Sequence, residues 1–144
     1  MQRILIINGP NLNLLGRREP EVYGTASMQT CLDSLRARYA GKADIAYIQS
    51  NHEGDIIDAI QQAWTEGKAD GIVLNAGAYT HTSLAIADAI ASVALPVVEV
   101  HISNVWSRET IRHKSLISGV CRGVIAGFGL GSYSLAVEAL ITDN

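Results

Sequence analysis

Residues 71–104, GIVLNAGAYTHTSLAIADAIASVALPVVEVHISN, decide the fold. The run 71–75 (GIVLN) is short, apolar and rich in branched side chains, which reads as a strand. From about residue 82 to 93 the apolar positions return at helical spacing. Pro96 opens a second short apolar run, 96–101, and a second strand. Strand, helix and strand in succession mean parallel strands joined by a crossover helix. One residue breaks the pattern: Glu99 stands inside the apolar run, which then ends in His101-Ile102-Ser103-Asn104.

The same alternation extends outward from this unit. Strands are predicted at 3–8 (RILIIN), 44–49 (DIAYIQ) and 120–126. A helix is predicted over 27–39, with Ser27 as N-cap and Met28, Cys31, Leu32, Leu35 and Tyr39 on one face. A second covers 53–66, with Ile56, Ile57, Ile60, Ala63 and Trp64 turned inward and Gly67 just past its end. A short helix at 107–114 and a closing helix at 132–141 complete the set. The near-continuous apolar strands are those of a sheet covered on both faces. Five such units predict an α/β fold, a flavodoxin-like three-layer sandwich whose five-stranded parallel sheet has the order 2-1-3-4-5.

The 144 residues suit a single domain over 1–144. Hydrophobic residues make up 48% and charged residues 17%, the balance of a folded globular chain. The net charge of −3, without a basic run, argues against nucleic acid as a partner. No apolar run approaches a membrane span, and the opening MQRILIINGPN is too soon interrupted for a signal peptide, so a cytoplasmic protein is expected. Cys31 and Cys121 belong to no metal-spaced pair and read as reduced core thiols.

In open α/β sheets, ligands bind outside the carboxyl ends of the strands, near the point where strand order reverses. The residues leaving the first, third and fourth strands converge there: Asn8-Gly9-Pro10-Asn11, then Asn75 through His81, then His101 through Asn104. They make a rim of amides, hydroxyls and imidazoles. The fifth strand ends in Gly127-Phe128-Gly129, which lets backbone approach closely. Alternation along a strand puts residues 99 and 101 on one side. A carboxylate there accepts the imidazole N–H, fixes its tautomer and favours the imidazolium, which suits His101 to act as a general acid. A structural Glu99, paired with a neighbouring helix, is the other reading.

The long connection 9–26 carries Arg17, Arg18 and Tyr23. Loops of that length are binding loops or lids, or else mobile segments with an anchoring tyrosine. A guanidinium beside the phenol would favour its ionised form. Arg108 and Arg112, at i and i+4, suit either an anion or a solvated face shared with Glu109 and Glu138.

The segments NGPNLNLLGRREPEVYG, QSNHEGDIIDAI, DGIVLNAGAYTHTSLAIADAI and PVVEVHISNVWSRETIRHKSLIS resemble the type II dehydroquinases (3-dehydroquinate dehydratases) over essentially the whole chain. The resemblance implies dehydration of 3-dehydroquinate to 3-dehydroshikimate, in the shikimate pathway, with no metal and no organic cofactor. It also implies trimers assembling into a dodecamer. By position it makes Tyr23 the base and Arg18 the group that lowers its pKa. Asn11 would hold a water that stabilises the enolate oxygen. His101 would be the acid, oriented by Glu99. Asn75, His81 and Arg112 would bind the substrate's polar groups, and Ile102 and Ser103 its carboxylate. Asp88 would reach the site of an adjacent subunit, near Arg108 or the ring hydroxyls. Trp106, Lys114 and Leu116, and the polar run Gly131-Ser132-Tyr133-Ser134, depart from the usual family pattern.

Other functions fit less well. A nucleotide or flavin binder wants a phosphate-cradling loop after the first strand, and NGPNLNLLG has no G-x-G-x-x-G. A phosphoacceptor domain wants acidic residues where this chain has Asn8 and Asn75. A Schiff-base route wants a lysine in an apolar strand, and Lys42, Lys68 and Lys114 are not so placed.

Overall fold

Strand β1, Gln2–Asn8, is flanked along its length by β2 (Ala43–Gln49) and on its other side by β3 (Gly71–Asn75). Strand β4 (Val97–His101) adds to β3, and β5 (Gly123–Ala126) adds to β4. All pairs are parallel and the order is β2-β1-β3-β4-β5, as predicted. The computed structural model describes residues 1–17 and 27–142.

Side chains alternate across a strand, so each strand feeds two separate cores. Ile4, Ile6, Val73, Val98 and Val100 pack under α1 (Met28–Arg38) and α4 (Gly131–Ile141). Ile7, Ile72, Leu74 and Val97 pack under α2 (Glu53–Thr65) and α3 (Leu84–Ser92). Every residue of β3 and β4 is buried, which explains why both runs are apolar but for Glu99 and the polar residues that end them. Ser27 caps α1 by accepting from the Thr30 N–H at 3.2 Å. Ser83 caps α3 through the Ile86 N–H at 2.9 Å, so this helix starts later than the periodicity suggests. The residues before it, Gly77–His81, form a 3-10 turn instead.

Three expectations need correction. The helix expected at 107–114 is two 3-10 turns, Val105–Ser107 and Thr110–His113. The chain is extended at Arg108 between them, so Arg108 and Arg112 are not stacked on one helical face. The fifth strand begins at Gly123, not at 120. Residues Ser118–Val120 turn, because the Ser115 hydroxyl accepts from the Ile117 and Ser118 N–H groups and pulls the chain toward β4. Trp64 is 46% exposed rather than inward: one residue beyond Ala63 is about 100° around the helix, past the edge of the buried stripe.

Backbone approach at the carboxyl edge is tight. The Gly9 N–H donates to the Asn75 carbonyl at 2.7 Å, and a Cβ on Gly9 would lie 2.6 Å from the Ala76 carbonyl oxygen. Glycine is therefore required where β1 leaves the sheet beside β3.

Candidate active site

One pocket at the carboxyl edge gathers residues from three strand ends and the segment after β4. From the β1 end come Pro10, Asn11 and Leu12; from the β3 end, Asn75, Gly77, Ala78 and His81; from the β4 end, His101, Ile102, Ser103 and Val105. Arg108 and Arg112 close one wall despite the broken helix between them. Eight of the residues singled out in the sequence thus meet: Asn11, Asn75, His81, His101, Ile102, Ser103, Arg108 and Arg112. Glu99 lies behind His101. Asp88 is exposed on α3 and does not line this pocket. Arg18 and Tyr23 lie outside the described residues.

Asn11 sits in the left-handed region at φ 70°, a conformation that asparagine tolerates better than most side chains. Its N–H donates to the Asn51 side chain at 3.0 Å. Gln49 donates both to that same oxygen, at 3.1 Å, and to the Gly9 carbonyl, at 3.2 Å. The β2 end therefore fixes the loop that presents Asn11.

Glu99 is 1% exposed, and it has three donors. One oxygen accepts from His101 Nε2; the other accepts from the hydroxyls of Ser115, at 3.1 Å, and Ser118. Burial pushes this carboxyl up, but the bonds from His101 and Ser118, the charge of His101 and the bond from Ser115 outweigh it. The carboxyl ends below its ordinary value and stays ionised. A carboxylate can only accept, so His101 Nε2 carries a proton and Nδ1 is the ring nitrogen not committed to Glu99. The two serines were not anticipated. The signal available was the cost of burying a charge, which demanded donors, and KSLIS supplied hydroxyls.

His81 is fixed in the same way, because its Nδ1 donates to the Lys114 carbonyl at 2.7 Å. Its ring lies nearly parallel to that of His101, with centroids 6.3 Å apart. The Arg112 Nε donates to Glu109 at 2.7 Å, and the Arg108 Nε is 3.9 Å from the same carboxylate. Both arginines line the pocket and share Glu109, the carboxylate expected for a solvated face. Glu138 bonds the Tyr39 hydroxyl at 3.0 Å instead.

Asn8, expected on the rim, is fully buried beneath it. It accepts from the Tyr133 hydroxyl at 2.7 Å, and Asn75 Nδ2 donates to that same hydroxyl at 3.0 Å. Burial raises the Tyr133 phenol well above the ordinary tyrosine range, more than the bonds to Asn75 and Asn8 lower it, so it remains a donor. The thiols behave as core groups: burial pushes Cys31 up to about 11, and burial with the nearby Glu99 charge pushes Cys121 up to about 12.

A five-stranded parallel sheet with a polar pocket at its switch point, walled by two arginines, defines an open α/β protein with a candidate ligand site at its carboxyl edge. The family Dehydroquinase class II matches residues 2–141. A 3-dehydroquinate dehydratase from Exiguobacterium sp. is 59% identical over 139 residues, covering 96% of this chain and 94% of that one. One from Caldicellulosiruptor bescii is 52% identical, covering 97% of each. The crystal structure of a type II dehydroquinase from Butyrivibrio crossotus superposes with a TM-score of 0.94 at 48% identity, covering 98% of both chains. That from Propionibacterium acnes gives 0.92 at 40% identity, covering 99% of this chain and 98% of the other. The chain belongs to the class II dehydroquinase family.

Proposed function

We propose that this chain, a 3-dehydroquinate dehydratase by family, eliminates water from 3-dehydroquinate to give 3-dehydroshikimate through an enolate. The observation that supports the chemistry best is His101, on a pocket walled by two arginines and backed by Glu99, Ser115 and Ser118. The substrate is a beta-hydroxy ketone. Its alpha proton is weakly acidic and its hydroxyl leaves poorly, so a base and an acid must act at the two ends of one bond system.

Tyr23 takes the alpha proton, helped by Arg18, which favours the phenolate. The electron pair moves onto the ketone oxygen, where a water held by Asn11 stabilises the developing charge. His101 then gives its Nδ1 proton to the departing hydroxyl, which leaves as water, and the enolate collapses to the conjugated enone. Glu99 stabilises the imidazolium before the transfer and holds the ring afterwards. Tyr23 ends protonated and His101 neutral, so a proton must pass through solvent before the next turnover. Asn75, His81 and Arg112 bind the substrate's polar groups, and Ile102 and Ser103 hold its carboxylate. No metal or organic cofactor enters this scheme. No helix among the described residues is long and apolar enough to cross a membrane. The setting we infer is a cytoplasmic homo-oligomer, trimers forming a dodecamer, in the shikimate pathway.

Incubation with 3-dehydroquinate should produce the ultraviolet absorbance of the enone. Tyr23→Phe and Arg18→Ala should each lower kcat by roughly 10²–10⁴-fold. Near-normal turnover in Tyr23→Phe would require a different base.

A further inference from the structure

Asn75 and Asn8 are register partners at the ends of adjacent strands, so their side chains leave the sheet on the same face. Both meet one phenol. Tyr133 stands in the first turn of α4, is 0% exposed, and reaches under the strand ends to touch the two amides. Backbone chemistry fixes the polarity of this chain. The Gly77 N–H donates to Asn75 Oδ1 at 3.2 Å, and a backbone N–H can only donate. The oxygen of the Asn75 amide therefore faces Gly77 and its nitrogen faces Tyr133. The Tyr133 oxygen must accept there, so its own proton goes to Asn8 Oδ1. The Asn8 nitrogen in turn points to the Tyr47 hydroxyl, at 3.4 Å.

We propose that Tyr133 is a positioning residue for substrate binding: with Asn8 it locks the Asn75 amide so that the pocket is offered an N–H donor, and hence an acceptor oxygen of the substrate is bound there. Asn75 is 4% exposed and lines the pocket. Its Nδ2 has two protons and Tyr133 takes one, which leaves the second for a ligand. This inference rests on the reading of Asn75 as a substrate ligand. Removing the phenol oxygen leaves the Asn75 nitrogen short of an acceptor in a dry site, and the amide then turns to find one.

The test is a set of steady-state measurements on 3-dehydroquinate with Tyr133→Phe, Asn75→Ala and the double variant. Tyr133→Phe should raise KM by about three- to tenfold with kcat within about twofold, the size of one hydrogen bond lost from ground-state binding. Asn75→Ala should raise KM further, and the double variant should be no worse than Asn75→Ala alone, because Tyr133 acts through Asn75. Additive effects would overturn the proposal, since a phenol that only stabilised the fold would act independently of Asn75. An unchanged KM in Tyr133→Phe, beside a raised KM in Asn75→Ala, would overturn it while leaving Asn75 as a ligand. An unchanged KM in Asn75→Ala would remove the reading of Asn75 itself, and this inference with it. Asn8→Ala, which removes the acceptor that turns the hydroxyl, should raise KM in the same direction by about two- to threefold. If Tyr133→Phe does not fold, this variant decides. Failure of both to fold would make the network purely structural and overturn the assignment.

Discussion

At the scale of single residues, the site depends on which atom of each side chain is committed elsewhere. His101 spends Nε2 on Glu99 and His81 spends Nδ1 on Lys114, so the two rings present different nitrogens to a ligand. Arg112 bonds Glu109, which is 61% exposed at its side chain, and an exposed partner is easily exchanged for a polar group of the substrate. Arg112→Ala should therefore raise KM by roughly 10- to 100-fold with little change in kcat, the loss of a charge-assisted bond made equally in ground and transition states. Steady-state kinetics check this, and a pure loss of kcat would mean that Arg112 acts on the chemistry instead. Asn75 and His101 were legible in the sequence because a polar residue ending an apolar strand is conspicuous. The role of Tyr133 was not, because the polar run 131–134 at a helix start says nothing of which strand ends its hydroxyl meets.

At the scale of elements, the five strands and their order could be read from the sequence, because parallel strands covered on both faces are short, mostly apolar runs alternating with helices. The segment 105–121 could not. Its shape is set by tertiary bonds, above all by the two serines that reach Glu99, and propensity carries no record of them. Those bonds have a pH signature. The Glu99 carboxyl lies below its ordinary value of about 4.3 in the folded chain. Above that pH both folded and unfolded chains are ionised there, and the full stabilisation is present. As pH falls below about 4.3, the unfolded chain binds a proton that the folded chain still refuses. Stability is then lost until the folded carboxyl also protonates. Asp70, held low chiefly by its bonds from Arg3, and Glu109, held low by its own N–H and Arg112, contribute in the same direction. Glu99→Gln isolates the one group. It should cost about 1–3 kcal/mol at pH 7, and its Tm deficit should shrink as pH falls through that window. Parallel Tm-against-pH curves for the two proteins would show that Glu99 is not preferentially ionised in the fold.

At the scale of the whole molecule, α3 presents an uncovered face. Leu84 is 67% exposed, and Asp88 and Ala91 are exposed beside it, while Ile86, Ala87, Ala89 and Ile90 fill the core. Leu84 and Asp88 side by side on this face suit the proposed subunit contact, which would deliver Asp88 to a neighbouring pocket. On this reading Asp88→Ala damages activity without unfolding the chain. Mixing Asp88→Ala with Tyr23→Phe subunits should then restore part of the activity, because some hybrid sites receive both intact residues. Activity measured after verified subunit exchange checks this. No recovery would argue that each site is complete within one chain.

The central claim is the division of labour between a base on the connection after β1 and His101 at the end of β4. The most direct test follows the alpha proton of 3-dehydroquinate by NMR in deuterated water with His101→Ala. An enzyme that has lost only its acid still forms the enolate but cannot expel hydroxide. Deuterium should enter the substrate while dehydration falls by roughly 10²–10⁴-fold. Loss of exchange together with turnover, or dehydration at the normal rate, would contradict the assignment of His101 as the acid.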